Sequence, residues 1–481
     1  MSPAGVVREP DYDRAEVRAG IVHIGVGSFH RAHQAVAIDD LLAAPDAAEW
    51  GICGVGVLPG DQRMRDVLRA SGGRYTLVLR HGDGRQEARR VDSIVEYLFA
   101  PDDPGAVIAR LCDPAIRLVT LTITEGGYGR DPVTGEFLAD APDVVYDLAD
   151  PDQPRTVFGL LTEALRRRRA AGTVPFTVLS CDNIQSNGEV ARRAFIAFAR
   201  LRDPELADWI STTVAFPNAM VDRITPATTD EDRRAVEATF GVADEWPVVA
   251  EPFFQWVVED RFPAGRPPLE RAGVQLVDDV LPYELMKLRL LNASHQGLCY
   301  FARLLGYHFV HDAASDPLIA RFLRRYMDEE ATPTLLEVAG VDLDAYKASL
   351  LERFANPQVR DTVDRLCTDG SDRIPQWLVP VIRARLDAGA ATPLAAAIVA
   401  SWARFAEGTD ERGEPIDIVD RRREQLLAHG APVDGDPLAF LRQPDLFGDL
   451  VDRTLFTRDY ERALTRLRRE GARATLLDFA D

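Results

Sequence analysis

Ile21-Val-His-Ile-Gly25-Val-Gly27-Ser-Phe-His30-Arg31 is the stretch on which the reading of this chain turns. A β-branched run ends in glycine, a Gly-x-Gly turn follows, and a helical pattern occupies residues 32–42. In a strand–turn–helix unit of this kind, glycines let backbone N–H groups approach a pyrophosphate. His30 stands where the usual Gly-x-Gly-x-x-Gly pattern has its third glycine. A tight turn that binds nothing satisfies the same local pattern, so the stretch is read with its neighbours.

Working outward, residues 51–57 form a second strand expectation after the helix, as a βαβ unit requires. An acid near that strand's end bonds the adenosine ribose and repels a 2′-phosphate. Asp61 is the available acid, and it is equally placed to cap a helix starting near Gln62. More strands are expected at 75–79, 118–124, 176–180, 213–216 and 248–250, alternating with helical stretches such as 156–170 and 189–200. That alternation predicts an α/β domain with a largely parallel sheet.

Ligands of such sheets sit beyond the carboxyl ends of the strands. Polar residues gather there: Glu125-Gly-Gly-Tyr128, Cys181-Asp182-Asn183-Ile184-Gln185 and Pro217-Asn218-Ala219-Met220-Val221-Asp222-Arg223. Turn chemistry alone accounts for any one of them. Three in succession also suit a reaction site, with Glu125 relaying protons and Asn183 donating to an oxyanion. Asp222 would bind a hydroxyl or orient a neighbour.

Past about residue 280 helical periodicity takes over, at 283–305, 318–327, 343–354, 376–386, 393–406 and 436–442. The expected organisation is a Rossmann-type dinucleotide-binding domain over 1–278 and a mostly α-helical domain over 279–481. The first of these helices carries Lys287, Asn292 and His295. On a regular α-helix, His295 lies roughly 80° and Asn292 roughly 140° from Lys287. A proton acceptor, an oxyanion donor and a hydroxyl-orienting group are all present. A solvated lysine beside satisfied core polar groups fits the same spacing. Farther on, the polar segment Asp364 to Pro375 offers Arg365 to substrate hydroxyls, or else marks a helix stopped at Gly370.

Composition bounds the rest. A chain of 481 residues holds two to four domains, and a net charge of −20 argues against a nucleic-acid partner. No apolar run is long enough to span a bilayer, and the start Met1 to Pro10 has no secretory apolar core, so a cytoplasmic home is expected. Five scattered cysteines and eight histidines show no metal-ligand spacing, so no metal is expected. The basic run Arg166 to Arg169 is read as a solvated helix end. The surface charge suits a monomer, or a small homo-oligomer.

Taken together, the turn at Gly25, Thr122-Ile-Thr-Glu-Gly-Gly-Tyr128, Ser180-Cys-Asp-Asn-Ile184, Phe216 to Pro226 and Lys287 to His295 resemble the polyol-specific long-chain dehydrogenase/reductase family of mannitol dehydrogenases. The resemblance runs along essentially the whole chain. It implies a nucleotide-binding domain, a helical domain and a substrate site between them, with zinc-independent interconversion of a polyol and a ketose by NAD. D-Mannitol and D-fructose are the expected pair. By the same resemblance Lys287 is the general base, Asn183 and Asn292 stabilise the alkoxide-like oxygen, His295 orients substrate and Glu125 relays protons. Arg365, Arg373 and Asp222 are substrate-site residues, while Gly25, Gly27, Phe29, Arg31 and Asp61 form the cofactor site. Where the family pattern has a second acid before Asp61, this chain has Gly60.

A lysine with the ordinary pKa of about 10.4 is a poor base, so the reading expects desolvation of Lys287 to outweigh the nearby Glu125 charge when cofactor closes the cleft. Other members of the class, acting on arabinitol, sorbitol or hexuronates (fructuronate, tagaturonate), are the alternatives. A non-catalytic dinucleotide sensor would need neither base nor oxyanion donors.

Overall fold

The computed structural model describes residues 5–131, 134–431 and 436–480; the first four residues of the start read above lie outside it. The chain divides into two units, 1–281 and 282–481.

In the first unit the strands among the described residues are β1 (Val7–Arg8), β2 (Ala19–Ile24), β3 (Gly51–Gly56), β4 (Tyr75–Arg80), β5 (Gln86–Val91), β6 (Ile94–Phe99), β7 (Leu118–Leu121), β8 (Thr177–Ser180), β9 (Ala219–Asp222), β10 (Val248–Ala250), β11 (Gln255–Glu259) and β12 (Gln275–Val277). Five of them form a sheet in the order β6-β3-β2-β7-β8, with every neighbouring pair parallel. β2, β3, β7 and β8 are buried at every position, which is why they read as near-continuous apolar runs. Alternate residues serve opposite faces. Val22, Ile24, Val119, Leu121 and Val178 pack with the helices Pro104–Cys112, Val157–Ala171 and Asn187–Arg202. Ile21, Ile52, Leu118 and Leu179 pack with Gln34–Leu41 and Gln62–Ser71. This is a Rossmann-type α/β unit.

Several expected elements move. Strands 75–79 and 248–250 form, but in a separate mixed sheet, β1-β5-β4-β10, where β4 pairs antiparallel with β5. The expected strand at 213–216 does not form: Thr213 closes the helix Pro204–Thr213. Ala215 accepts one bond from the Val178 N–H at 3.0 Å. Pro217 follows and has no N–H to continue a ladder. The strand is instead β9, which pairs antiparallel with β11 in a third sheet, β12-β11-β9. The helix expected from residue 32 starts at Ser28 and breaks at His33, whose φ of −122° and ψ of −88° are not helical.

Arg166–Arg169 is not simply a solvated helix end. Arg168 is only 2% exposed and donates to the carbonyls of Leu111 (2.8 Å), Ile116 (2.6 Å), Val174 (2.5 Å) and Asp113. It satisfies carbonyls at the end of the neighbouring helix Pro104–Cys112, which that helix cannot satisfy itself. Arg166, Arg167 and Arg202 donate to the enclosed carboxylate of Glu163. Burial pushes that carboxyl up, but the three guanidiniums prevail and hold it at about 2.

The second unit is helical. The expected helix 376–386 is two helices, Gly370–Trp377 and Val379–Asp387, and the preceding segment is itself helical from Val363 to Cys367. Gly370 therefore opens a helix rather than ending one. Of 436–442 only a 3-10 turn, Ala439–Leu441, forms. The helical segment Thr454–Leu477, which kinks at Gly471 (φ +87°), packs along Pro393–Phe405. No helix of the described residues is long and apolar enough to cross a membrane.

The Pro393–Phe405 helix is capped from another segment. Buried Glu330 accepts the Leu394 and Ala395 N–H groups at 2.7 and 2.8 Å. Burial pushes the Glu330 carboxyl up to about 7, against the pull of those two donors. The folded chain thus holds this proton more tightly than the unfolded chain. The contribution is complete below the unfolded carboxyl's range and is lost as pH rises through about 7. We expect the stability difference between the unsubstituted protein and Glu330→Gln to change by on the order of 3 kcal/mol between pH 4.5 and 7.5. Urea melts of both proteins at the two pH values measure it; parallel pH dependences would contradict the assignment.

Candidate active site

Because the central sheet is parallel, β2, β3, β7 and β8 deliver their carboxyl ends to one edge. Chain order reverses at β2, between β3 and β7, the switch point where such sheets bind ligands. Gly25, directly after β2, has φ +93°, and a Cβ there would stand 2.1 Å from the Thr122 carbonyl oxygen. The Thr122 hydroxyl closes the contact, donating to the Gly25 carbonyl at 2.7 Å. Gly27 caps the helix Ser28–Ala32 without a side-chain hydrogen bond, and a Cβ on it would meet nothing nearer than 3.8 Å. Space and backbone at this turn fit a dinucleotide pyrophosphate.

His30, in place of the third glycine, is buried and stacks on His23 of β2, ring centroids 3.4 Å apart and 6° from parallel. His23 bonds the Thr120 and Thr122 hydroxyls at 2.7 and 3.0 Å. Burial drives His23 down to about 3 and His30 well below its ordinary value, so both rings are neutral. Phe29 is half-buried against His33, 4.9 Å between rings. Arg31 does not face the turn: it is buried, donates to the Trp246 carbonyl at 2.5 Å, and lies over the Tyr75 and Trp246 rings. Its place on the inner side of the short helix turns it into the core.

Asp61 stands at the N-cap position of the helix Gln62–Ser71 but makes no side-chain cap bond to it. Its Oδ2 accepts the Val57 and Leu58 N–H groups at 3.0 and 2.9 Å, closing the turn after β3.

After β7, Glu125 is exposed at the start of the 3-10 turn Glu125–Tyr128. Thr124 before it has φ +62°, a left-handed conformation that a β-branched residue adopts only under constraint. The constraint comes from Asp182, after β8. Its carboxylate accepts the Thr124 N–H (2.8 Å), the Ile123 N–H (3.1 Å) and the Tyr128 hydroxyl (2.7 Å). Exposed Asn183 is the next residue. Glu125 and Asn183 thus stand at the ends of adjacent parallel strands. Asp222 is buried at the end of β9, in the three-stranded sheet.

In the second unit, the segment expected as one regular helix is interrupted. Leu281–Met286 and Ala293–Leu305 are α-helical, but Lys287–Asn292 is a π-helical turn, with the Ala293 N–H bonded to the Leu288 carbonyl five residues back. The 140° separation of Lys287 and Asn292 therefore does not hold. An i→i+5 ring stacks residues five apart one turn above each other, so the two share a face. Both are buried, at 8% and 5% exposure, and the Asn292 Oδ1 has no hydrogen-bond partner among the described residues. An enclosed amide end without a partner is suited to a ligand. His295 is half-buried against Phe354, 4.2 Å between rings.

A second π-helical turn, Tyr326–Ala331, packs on the first, and the Tyr326 hydroxyl donates to the Arg289 carbonyl at 3.3 Å. Arg365 is exposed and paired with Asp361, four residues back. Arg373 donates to the Leu366 carbonyl at 3.0 Å and lies over the Trp377 ring.

Residues 19–271 match the mannitol dehydrogenase Rossmann domain and residues 279–468 the mannitol dehydrogenase C-terminal domain. The chain belongs to the mannitol dehydrogenase family. It is 45% identical to the mannitol 2-dehydrogenases of Phaeosphaeria nodorum and Aspergillus fumigatus, over 98% of this chain and 84% and 95% of theirs. Among solved structures it is similar to Pseudomonas fluorescens mannitol 2-dehydrogenase in ternary complex with NAD and D-mannitol, at 45% identity and a TM-score of 0.87, covering 98% of this chain and 96% of that one. A substrate-free D-sorbitol dehydrogenase is 38% identical with a TM-score of 0.92, covering 98% of both chains.

Sequence reasoning named Asp182, Tyr128 and Asn218 in their loops but gave them no work. Asn218 accepts the Gly188 and Glu189 N–H groups at the start of the helix after β8, at 3.0 and 3.2 Å. Asn187 ties that same start to Ala219 of β9 in both directions. Their signal was a polar residue directly after an apolar run; the partners lie in other strands. For this mannitol dehydrogenase family chain, deleting Arg289 should convert the π-helical turn to a regular one while leaving the fold intact. Dehydrogenase turnover should fall roughly 100-fold or more, as expected for misplaced reacting groups. Circular dichroism, melting and turnover together check this; unchanged turnover would show that the turn's geometry is immaterial.

Proposed function

We propose that this protein is an NAD-dependent dehydrogenase that interconverts D-mannitol and D-fructose, with Lys287 as general base and no metal taking part. The observation that carries the reading is likeness to mannitol 2-dehydrogenases along nearly the whole chain, at 45% identity. The burial of Lys287 and Asn292 at the two ends of one π-helical turn supports it.

The bound nicotinamide supplies a hydride acceptor for polyol oxidation and a donor for ketose reduction. At the substrate, Lys287 takes the proton of the reacting hydroxyl, an event that requires its amine form. Negative charge then builds on the oxygen, and the Asn183 and Asn292 carboxamides donate to it. His295 orients the hydroxyl, and exposed Glu125 passes the proton to solvent. Asp222, Arg373 and Arg365 hold the remaining hydroxyls, with Arg365 shared between substrate and Asp361. Gly25, Gly27 and Phe29 line the cofactor turn, and Asp61 offers Oδ1 to the ribose. With lysine as base and amides as oxyanion donors, the reaction needs no Lewis acid.

D-Mannitol and D-sorbitol differ only at C2, and oxidation of either there gives D-fructose, so the ketose alone does not separate them. We expect kcat/KM with NAD to be highest for D-mannitol among D-mannitol, D-sorbitol and D-arabinitol. NADH should outperform NADPH with D-fructose, and D-fructuronate and D-tagaturonate should react more slowly. A preference for sorbitol or a uronate would overturn the substrate, not the reaction. Lys287→Ala should lower kcat roughly 100-fold or more and abolish the acid limb of its pH profile, the signature of a lost general base. An unchanged limb would move the base elsewhere.

A further inference from the structure

Asp182 touches neither end of the chemistry proposed above, yet three donors from one short segment converge on it. Its Oδ1 accepts the Thr124 N–H, and its Oδ2 accepts the Ile123 N–H and the Tyr128 hydroxyl. These donors bracket the 3-10 turn that begins with Glu125: two lie just before it and the third at its last residue. One carboxylate therefore ties both ends of the turn to the end of β8. The Tyr128 hydroxyl also meets the Ser180 hydroxyl at 2.6 Å, and the Asp182 N–H donates to Ser180 at 3.3 Å, so the anchor itself is fixed.

The three groups bonded to the buried carboxylate are all donors, so it serves them as an acceptor. Burial, helped by the Glu125 charge, leaves the carboxyl above its ordinary value, although Tyr128 and the two backbone donors pull it down. The cost being offset is visible at Thr124, held at φ +62°. Without the anchor, that residue would relax toward ordinary β geometry and swing Glu125 away. On the other side, the peptide leaving Asp182 leads directly into Asn183, so movement of the anchor also displaces that carboxamide.

We propose that Asp182, with Tyr128 behind it, is the positioning residue that sets where Glu125 and Asn183 stand. The proposal rests on the reading of those two residues as proton relay and oxyanion donor. Asp182 acts through them and does not contact substrate.

The test is a double-mutant cycle in the full chain, Asp182→Asn with Glu125→Gln, read as kcat for D-mannitol and NAD at several pH values. Asparagine keeps the shape but presents N–H groups to donors. We expect Asp182→Asn to lower kcat about 100-fold, as displacement of reacting groups does, with little change in KM for NAD. In the Glu125→Gln background the same substitution should cost at least about threefold less than in the unsubstituted protein, because coupled residues are not additive, and the loss that remains is the displacement of Asn183. Tyr128→Phe, an isosteric change, should lower kcat by about threefold to tenfold.

Backbone hydrogen exchange is the second readout and needs no turnover. The Ile123 and Thr124 amides should exchange at least about tenfold faster in Asp182→Asn, with amides of β2 and β3 unaffected. Equal losses from Asp182→Asn with and without Glu125, or unaltered exchange at 123 and 124, would overturn the proposal. If the unsubstituted protein oxidises no polyol with NAD, the functional reading fails on its own account, and exchange still decides whether Asp182 holds the turn.

Discussion

Parallel hydrogen bonding around β2 is the constraint on which the rest of this protein depends. β2 pairs with β3 on one side and β7 on the other, both parallel, so each strand must return by a crossover before the next begins. The crossovers cover both faces with helices, and the carboxyl ends emerge together at one edge. Close approach at the centre of that edge has a steric condition. The Thr122 carbonyl occupies the space a Cβ on Gly25 would need, so only glycine lets the chain leave β2 in that direction. The substitution of His30 for a third glycine is compatible because the contact is made by two flat neutral rings, His30 on His23.

Each unit places its polar residues by interrupting regular structure and enclosing the interruption. In the first, Thr124 and Ser186 are non-glycine residues at positive φ, flanking the ends of β7 and β8 where Glu125 and Asn183 stand. In the second, a π-helical turn carries Lys287 and Asn292, and another π-helical turn supports it through Tyr326. Irregular backbone of this kind persists only where the surroundings over-determine it. Here the surroundings are identifiable: a carboxylate with three donors at Thr124, and a buried tyrosine hydroxyl at Arg289.

Buried charge follows the same logic. Arg31 and Arg168 are enclosed, and the partners that receive them are backbone carbonyls. Glu330 is enclosed and receives backbone N–H groups at a helix start. Arg168 and Glu330 each pair backbone groups at a helix end that the helix leaves unpaired, and Arg31 holds the loop carbonyl of Trp246. A basic run at a helix end can thus hold one enclosed member among solvated ones, as Arg168 shows beside Arg166, Arg167 and Arg169.

Much of the architecture was legible from residue order alone. Apolar runs identified β2, β3, β7 and β8 of the central sheet, because strands buried on both faces must be apolar throughout, whereas edge strand β6, half-exposed and carrying Glu96, went unread. The change to helical periodicity near residue 280 separated the two halves, and the polar residues after β7 and β8 marked Glu125 and Asn183. Strand partnership was not legible: 75–79 and 248–250 read like central strands and joined another sheet, since pairing depends on long-range register rather than local pattern. The π-helical turn was equally hidden, because Lys287 to Asn292 consists of good α-helix formers and the extra residue is accommodated by packing from Tyr326. So sequence by itself determined which segments are buried, where they end and which chemical groups follow them, all consequences of side-chain polarity and turn preference. Tertiary structure alone decided that Asp182 grips the Thr124 turn, that Arg31 and Arg168 face inward, and that Lys287 and Asn292 share a face. Each of those depends on partners distant in the chain or on a hydrogen-bond register that local propensity does not specify.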